Sequence, residues 1–260
     1  MNNEFRINLV QYDIAWHDIE GNHAKIQKLC EDMPFCHLLV LPEMFNTGFS
    51  MQPATFGNRA AHAGLDFMHE LTQVYRTAVC GSLIAEDNGR YYNRLYFLTP
   101  DGQEYTYDKR HLFTLAGEHQ HYTAGRHKIS ISYRGWKILP LICYDLRFPV
   151  WSRQSPENPY DLLLYVANWP QRRSHAWRTL LPARAIENMA YTAGVNRVGY
   201  DASGVFHSGD SAVYDVLGQQ ITQPASDTEC ILSATLSLSE LRELRHNLGF
   251  LNDADAFSIQ

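Results

Sequence analysis

Hydrophobic positions change period several times along the chain, and each change marks an element. Over residues 7–12, Ile7, Leu9 and Gln11 alternate with Asn8, Val10 and Tyr12, which predicts a strand. From 18 to 33 the period becomes helical, with Ile19, Ala24, Ile26, Leu29 and Cys30 near one stripe and Pro34 as the stop. His37-Leu-Leu-Val-Leu41 is apolar but too short for a helix, so it reads as a buried strand. A loop rich in Gly, Pro, Asn and Thr covers 45–58, and a helix is predicted over 65–75. Strands over 78–84 and 91–98 flank Asn88-Gly89, a pair suited to a tight hairpin turn. Pro100-Asp101-Gly102 turns the chain into a further strand over 103–107.

Residues 108–126 are polar, His-rich and aperiodic, and a loop of that length in a folded domain tends to carry function. Strands over 129–133 and 136–143 pair around Arg134-Gly135, and 149–159 reads as a short helix or loop. An apolar strand over 162–166 opens into Asn168-Trp169-Pro170. The strongest helical pattern is 174–188: Ser174 as cap, Trp177, Leu180, Leu181, Ala185 and Ile186 on one face, Pro182 as a kink. Thereafter come a strand over 191–198, a loop over 199–209, strands over 211–214, 219–222 and 231–235, and a helix over 238–244. The tail to 260 is expected to wrap over the rest. Alternating strands and helices, with hairpins between, predict an α/β fold with one large mixed sheet or two sheets covered by helices. No linker, repeat or low-complexity stretch divides residues 1–260, so one domain is expected.

Composition narrows the function classes. The 260 residues are 45% hydrophobic and 19% charged, enough for a full core. A net charge of -6 gives no electrostatic footprint for nucleic acid or acidic membranes. No apolar run approaches the ~20 residues that span a bilayer. The five cysteines form neither a C-x-x-C pair nor a zinc spacing, and no signal peptide precedes the first strand. A cytoplasmic protein with free thiols is expected.

Dinucleotide, Walker, zinc-protease and serine-hydrolase motifs are absent. Three candidates remain, each just beyond a predicted strand: Glu43 in Leu39-Val-Leu-Pro-Glu43, Lys109 in Tyr107-Asp-Lys109-Arg-His, and Cys143 closing Trp136-Lys-Ile-Leu-Pro-Leu-Ile-Cys143. Singly, each has a plainer reading: a loop carboxylate, a solvated basic pair, a structural thiol. Together they could converge on one edge of the sheet, where open α/β sheets place their ligands. A cysteine activated by a nearby cation or base, a lysine stabilising thiolate and oxyanion, and a carboxylate relaying protons form a coherent hydrolase. Among the 12 histidines, His111, His119 and His121 stay open as alternative bases. A metal site of His119 and His121 with Glu118 is a further reading, but the His-x-His pair sits in a loop with no clear third ligand, so neither a metal nor another cofactor is expected.

These segments resemble the nitrilase superfamily of carbon–nitrogen hydrolases over nearly the whole chain. Leu41-Pro-Glu43, Asp108-Lys109-Arg-His-Leu-Phe113 and Ile142-Cys143-Tyr-Asp-Leu-Arg-Phe-Pro149 match the family's Glu, Lys and Cys motifs. Asn8-Leu-Val-Gln-Tyr-Asp13, Ala167-Asn168-Trp169-Pro170, Ala183-Arg-Ala-Ile-Glu-Asn188 and Asn196-Arg197 match further segments. The resemblance implies an αββα sandwich, dimerised through helices into a homodimer. It implies Cys143 as nucleophile, Glu43 as general base and acid, and Lys109 with the Tyr144 backbone N–H as oxyanion donors. Glu118 matches the family's second glutamate, which would orient substrate and support Glu43. Asp145 and Arg147 would hold the turn after Cys143, and Arg184 and Glu187 would form an ion pair.

The segments from 108 to 125 and from 143 to 149 most resemble the omega-amidase branch. That implies a small-molecule amide substrate, 2-oxoglutaramate or 2-oxosuccinamate, whose far carboxylate needs a cation. Arg172 or Arg173 is the candidate clamp, and Phe45, Phe49 and Trp169 the candidate walls. Related amidase, nitrilase or N-carbamoyl hydrolase chemistry is the nearest alternative. A non-catalytic small-molecule-binding protein is the alternative from another class, and the intact Glu43, Lys109 and Cys143 argue against it.

Overall fold

Alternation at the start of the chain becomes a strand because it serves two cores at once. The computed structural model describes residues 4–155 and 159–255. In β1 (Glu4–Gln11), Phe5, Ile7 and Leu9 face one hydrophobic cluster while Val10 joins another. Beyond it lie α1 (Ile19–Cys30), β2 (Leu38–Val40), α2 (Arg59–Tyr75), β3 (Ala78–Asp87), β4 (Arg90–Leu98) and β5 (Glu104–Asp108). The second half holds β6 (Ile131–Tyr133), β7 (Trp136–Ile142), α3 (Pro149–Ser152), β8 (Leu162–Ala167), α4 (Ser174–Asn188) and β9 (Tyr191–Asn196). It closes with β10 (Val198–Tyr200), β11 (Phe206–Ser208), β12 (Ala212–Tyr214), β13 (Cys230–Ser237) and α5 (Leu238–Leu248).

Among the described residues, two mixed sheets run β13-β1-β2-β3-β4-β5 and β12-β9-β8-β7-β6. The parallel pairs are β1–β2, β2–β3, β7–β8 and β8–β9. Those strands are nearly continuous apolar runs because both of their faces are covered. Phe5, Ile7, Leu9, Leu95 and Phe97 of the first sheet share one cluster with Ile138, Leu141, Leu164 and Val166 of the second. The other face of the first sheet takes Ile26 of α1 and Phe67, Met68 and Leu71 of α2. On the second sheet, α4 lies so close to β9 that a Cβ at Gly194 would sit 2.6 Å from Leu181 and 2.7 Å from Trp177. The architecture is the αββα sandwich.

Differences from expectation have local causes. Helix α2 starts six residues before the expected 65, because Ala60, Ala61 and Gly64 are small enough to be buried ahead of Phe67. Ser174 does not cap α4: it is the first helical residue, and its hydroxyl accepts from Arg178 instead. Ile186 leaves the buried face of α4 and is 54% exposed, while Arg184 turns inward and bonds Leu146 O at 2.7 Å. The expected loop over 199–209 contains the β10–β11 hairpin. Residues 219–222 supply only an isolated bridge at Gln220. Part of the expected wrapping tail lies outside the described residues.

The topology brings strand exits together. Glu43 follows β2, Lys109 follows β5, Cys143 follows β7, and Asn168 follows β8.

Candidate active site

Cys143 begins a tight 3-10 turn (Cys143–Arg147) with φ +43°, a left-handed conformation that costs a non-glycine residue roughly 1–2 kcal/mol. Asp145 holds that turn. Its Oδ2 accepts Ile142 N at 3.1 Å and the Tyr107 hydroxyl at 2.7 Å, and its Oδ1 accepts His111 N at 3.0 Å. His111 also bonds Asp145 through Nδ1 at 2.7 Å, with its ring stacked on Phe148. It is therefore committed to the support of the turn. Tyr144 N–H, at the N-terminal end of the turn, has no hydrogen-bond partner among the described residues.

Glu43, Lys109 and Glu118 form a fully buried array. Lys109 Nζ donates to Glu43 Oε1 at 2.7 Å and to Glu118 Oε1 and Oε2 at 3.1 and 3.0 Å. The other Glu43 oxygen accepts Asn168 N at 2.9 Å, and Glu118 Oε2 accepts Phe113 N at 2.5 Å. Burial alone would lower the Lys109 pKa, but Glu118, Glu43 and Cys143 raise it above the usual lysine range. Lys109 stays a cation. Burial pushes the Glu118 carboxyl up, against the pull of Lys109. Burial, followed by the Glu43 carboxylate, pushes the Cys143 thiol well above its usual range, with Lys109 pulling the other way. Burial thus favours the protonated form of the Cys143 thiol.

A cavity of about 410 Å³ opens over Cys143. Phe49, Phe113, Tyr144 and Trp169 wall it, and Lys109 Nζ lies 5.0 Å from the Phe49 ring centroid. Phe45 is not a wall. Its ring packs among Phe67, His23 and the α1–α2 core, because its chain position places it on the outer face of the first sheet. Arg147 does not brace the turn either: its guanidinium lies over Trp169, 5.0 Å from the ring centroid, at the cavity. Arg173 lies over Phe113 at 4.9 Å, and Arg172 lines the cavity without a ring beneath it. Among the described residues none of these three arginines has a carboxylate partner. Burial, then Arg172 and Arg147, pulls the Arg173 pKa below the usual arginine range. Glu187 pairs with Arg184 at 3.0 Å, as expected.

His119 and His121 are exposed while Glu118 turns inward onto Lys109, so these three do not share a ligand sphere. Among the described residues no cluster of three metal-ligating side chains occurs. Asn93 and Ser82 escaped the sequence reading. Asn93 Nδ2 donates to Glu43 Oε1 at 2.8 Å and Glu118 Oε1 at 3.2 Å, and Ser82 Oγ donates to Asn93 Oδ1 at 2.9 Å. The signal was parity: Asn93 alternates in phase with Leu95 and Phe97, and Ser82 with Ala78 and Cys80, all facing the second sheet.

The family description of carbon–nitrogen hydrolases matches residues 6–246. The chain is 42% identical over 254 residues to the omega-amidase YafV of Escherichia coli strain K12, covering 98% of each chain. It is 31% identical to the 2-oxoglutaramate amidase of Bacillus subtilis strain 168, covering 96% of this chain and 97% of that one. The crystal structure of XC1258 from Xanthomonas campestris, a CN-hydrolase superfamily protein with an arsenic adduct in its active site, superposes with a TM-score of 0.94. Identity there is 39%, over 99% of both chains.

Proposed function

The chain belongs to the carbon–nitrogen hydrolase family, and from that premise we infer that it is an omega-amidase. It hydrolyses the terminal amide of 2-oxoglutaramate or 2-oxosuccinamate to the 2-oxo dicarboxylic acid and ammonia. The observation that carries this reading is a fully buried Glu43–Lys109–Glu118 array beside the buried Cys143, beneath a cavity lined by arginines that have no carboxylate partner among the described residues.

In the proposed sequence, Glu43 takes the Cys143 proton as Sγ bonds to the amide carbon. Lys109 Nζ and the Tyr144 N–H stabilise the oxyanion. The tetrahedral intermediate collapses as Glu43 returns the proton to the leaving nitrogen, and ammonia departs. The thioester on Cys143 is then attacked by a water that Glu43 deprotonates. The acid leaves and the proton returns to sulfur. Glu118 holds Lys109 and Phe113 N in place around the reacting carbon. Arg147 and Arg173, with their guanidinium carbons 5.0 Å and 4.9 Å from the centroids of Trp169 and Phe113, are positioned as forks for the far carboxylate, and Arg172 adds field. Three cations favour a 2-oxo acid over glutamine, whose α-ammonium they repel.

Two wider readings belong here. A homodimer is supported by apolar residues left bare on one side: Ile186, 54% exposed, beside the Leu217-Gly218 turn, with Leu217 48% exposed. A single domain in a reducing cytoplasm is supported by one continuous run of packed elements and by five free thiols. Among the described residues no helix is long and apolar enough to cross a membrane.

Ammonia release tests the activity. The expected order of kcat/KM puts 2-oxoglutaramate first, ahead of glutamine, a nitrile and an N-carbamoyl amino acid. Cys143→Ala is expected to abolish turnover. No release from any of the four at micromolar enzyme overturns the reading.

A further inference from the structure

We propose that Asn93 is a positioning residue for the catalytic carboxylates, and that the Ser82 hydroxyl dictates which way its amide faces. The role rests on the reading of Glu43 as the proton acceptor. It is argued from the direction in which each hydrogen bond must run.

The relay starts at Met44 N–H, which can only donate. Ser82 Oγ accepts it at 2.9 Å, so the Ser82 proton points elsewhere, to Asn93 Oδ1 at 2.9 Å. The carbonyl end of Asn93 is thereby tied to Ser82. Its NH2 end faces Glu43 Oε1 at 2.8 Å and Glu118 Oε1 at 3.2 Å. A flipped amide would aim oxygen lone pairs at two carboxylates. All five residues, Met44, Ser82, Asn93, Glu43 and Glu118, are fully buried, so bulk solvent does not compete for these bonds. The relay also closes on itself: it leaves the peptide N–H that follows Glu43 and returns to the Glu43 carboxylate. It thus braces Met44, which is held at φ +44°.

The need for such a donor follows from charge. One lysine stands between two buried carboxylates, leaving an excess negative charge. Two carboxylates in that position tend to share a proton, and a protonated pair cannot accept one from Cys143. Asn93 adds two donors without adding charge, which favours the charge-bearing form of the pair over the proton-sharing one. An aspartate there would add a third negative charge, and the lysine cannot serve three. Lys109, Cys143 and the Tyr122 phenol are the other titratable groups facing the pair. Asn93 does not line the cavity, so its effect belongs in kcat and the pH profile, not in substrate affinity.

The test compares wild type with Ser82→Ala and Asn93→Asp in two assays across pH: ammonia release from 2-oxoglutaramate, and alkylation of Cys143 by iodoacetamide. The expected result is a kcat loss of about tenfold or more, with KM nearly unchanged. The acidic limb of both profiles is expected to move up by about one pH unit. Ser82→Ala removes only one hydroxyl, so it carries the test should Asn93→Asp not fold. Folded variants whose acidic limb stays in place in both assays overturn the proposal. If wild type releases no ammonia yet the alkylation limb moves in Ser82→Ala, the substrate reading fails and the role of Asn93 stands. Ammonia release with neither limb moving leaves the substrate reading intact and removes the role.

Discussion

Cys143 is buried, its thiol pushed toward the protonated form, and held in a left-handed conformation, and each property depends on a neighbour. Asp145 and His111 hold the turn, while Glu43 and Lys109 are the proposed proton acceptor and positive charge. The arginines at the mouth lend themselves to a separate test. Arg147→Gln and Arg173→Gln are expected to raise KM for 2-oxoglutaramate by about ten- to a hundredfold, the worth of a charge-assisted hydrogen bond. The change in kcat is expected to be smaller. Arg172→Gln, with no ring to orient its fork, is expected to do less, and KM for a small uncharged amide should not move. Equal effects on charged and uncharged amides would contradict the clamp. At this scale the convergence of Glu43, Lys109 and Cys143 was legible because each stands at a strand exit, in a motif. Arg147 and Phe45 were misjudged because side-chain direction in a turn or loop leaves no period in the sequence. Asn93 was passed over because a lone amide on a strand looks ordinary until its in-phase neighbours are counted.

The element that most constrains the site is the segment from Lys109 to Gly125. It leaves β5, delivers Glu118 to the lysine through two short 3-10 turns (Thr114–Ala116 and Glu118–Gln120), and is pinned at its end. Thr123 N donates to Tyr91 O at 2.7 Å, and Gly125 N donates to Lys109 O at 2.9 Å. A Cβ at Gly125 would lie 2.0 Å from Asp108 O, so the base of the loop closes only with glycine there. Gly125→Ala is expected to lower kcat by at least about tenfold and to destabilise the fold by about 1–3 kcal/mol, read by ammonia release and urea unfolding. Wild-type turnover in that variant would show that the loop tolerates a shifted base. Sequence gave only an aperiodic, polar stretch here, since the anchoring bonds run between backbone groups. Regular elements were more legible: the Asn88-Gly89 hairpin appears with positive φ at both residues, 52° and 73°. Helix starts were less so, because small residues such as Ala60 and Gly64 carry little hydrophobic signal.

On the scale of the whole molecule, two sheets share one core and bring four strand exits to one place. Glu43 and Lys109 leave the first sheet, Cys143 and Asn168 the second, and Asn168 N reaches across to Glu43 Oε2. The cluster of Glu43, Lys109, Cys143 and Asn168 is thus a product of sheet-on-sheet packing. Alternating strands and helices predicted an α/β fold but left open one sheet or two, since strand order is set by pairings far apart in the chain. The resemblance carried by the motifs supplied the two-sheet answer. On this scaffold the proposed route is covalent, through a thioester on Cys143. Its most direct measurement is intact-protein mass spectrometry of enzyme quenched during turnover of 2-oxoglutaramate, followed by peptide mapping. The expected result is a 2-oxoglutaryl adduct on the peptide bearing Cys143, labile to hydroxylamine and absent in Cys143→Ala. Ammonia released by Cys143→Ala at the wild-type rate, with no adduct in either protein, would contradict the account.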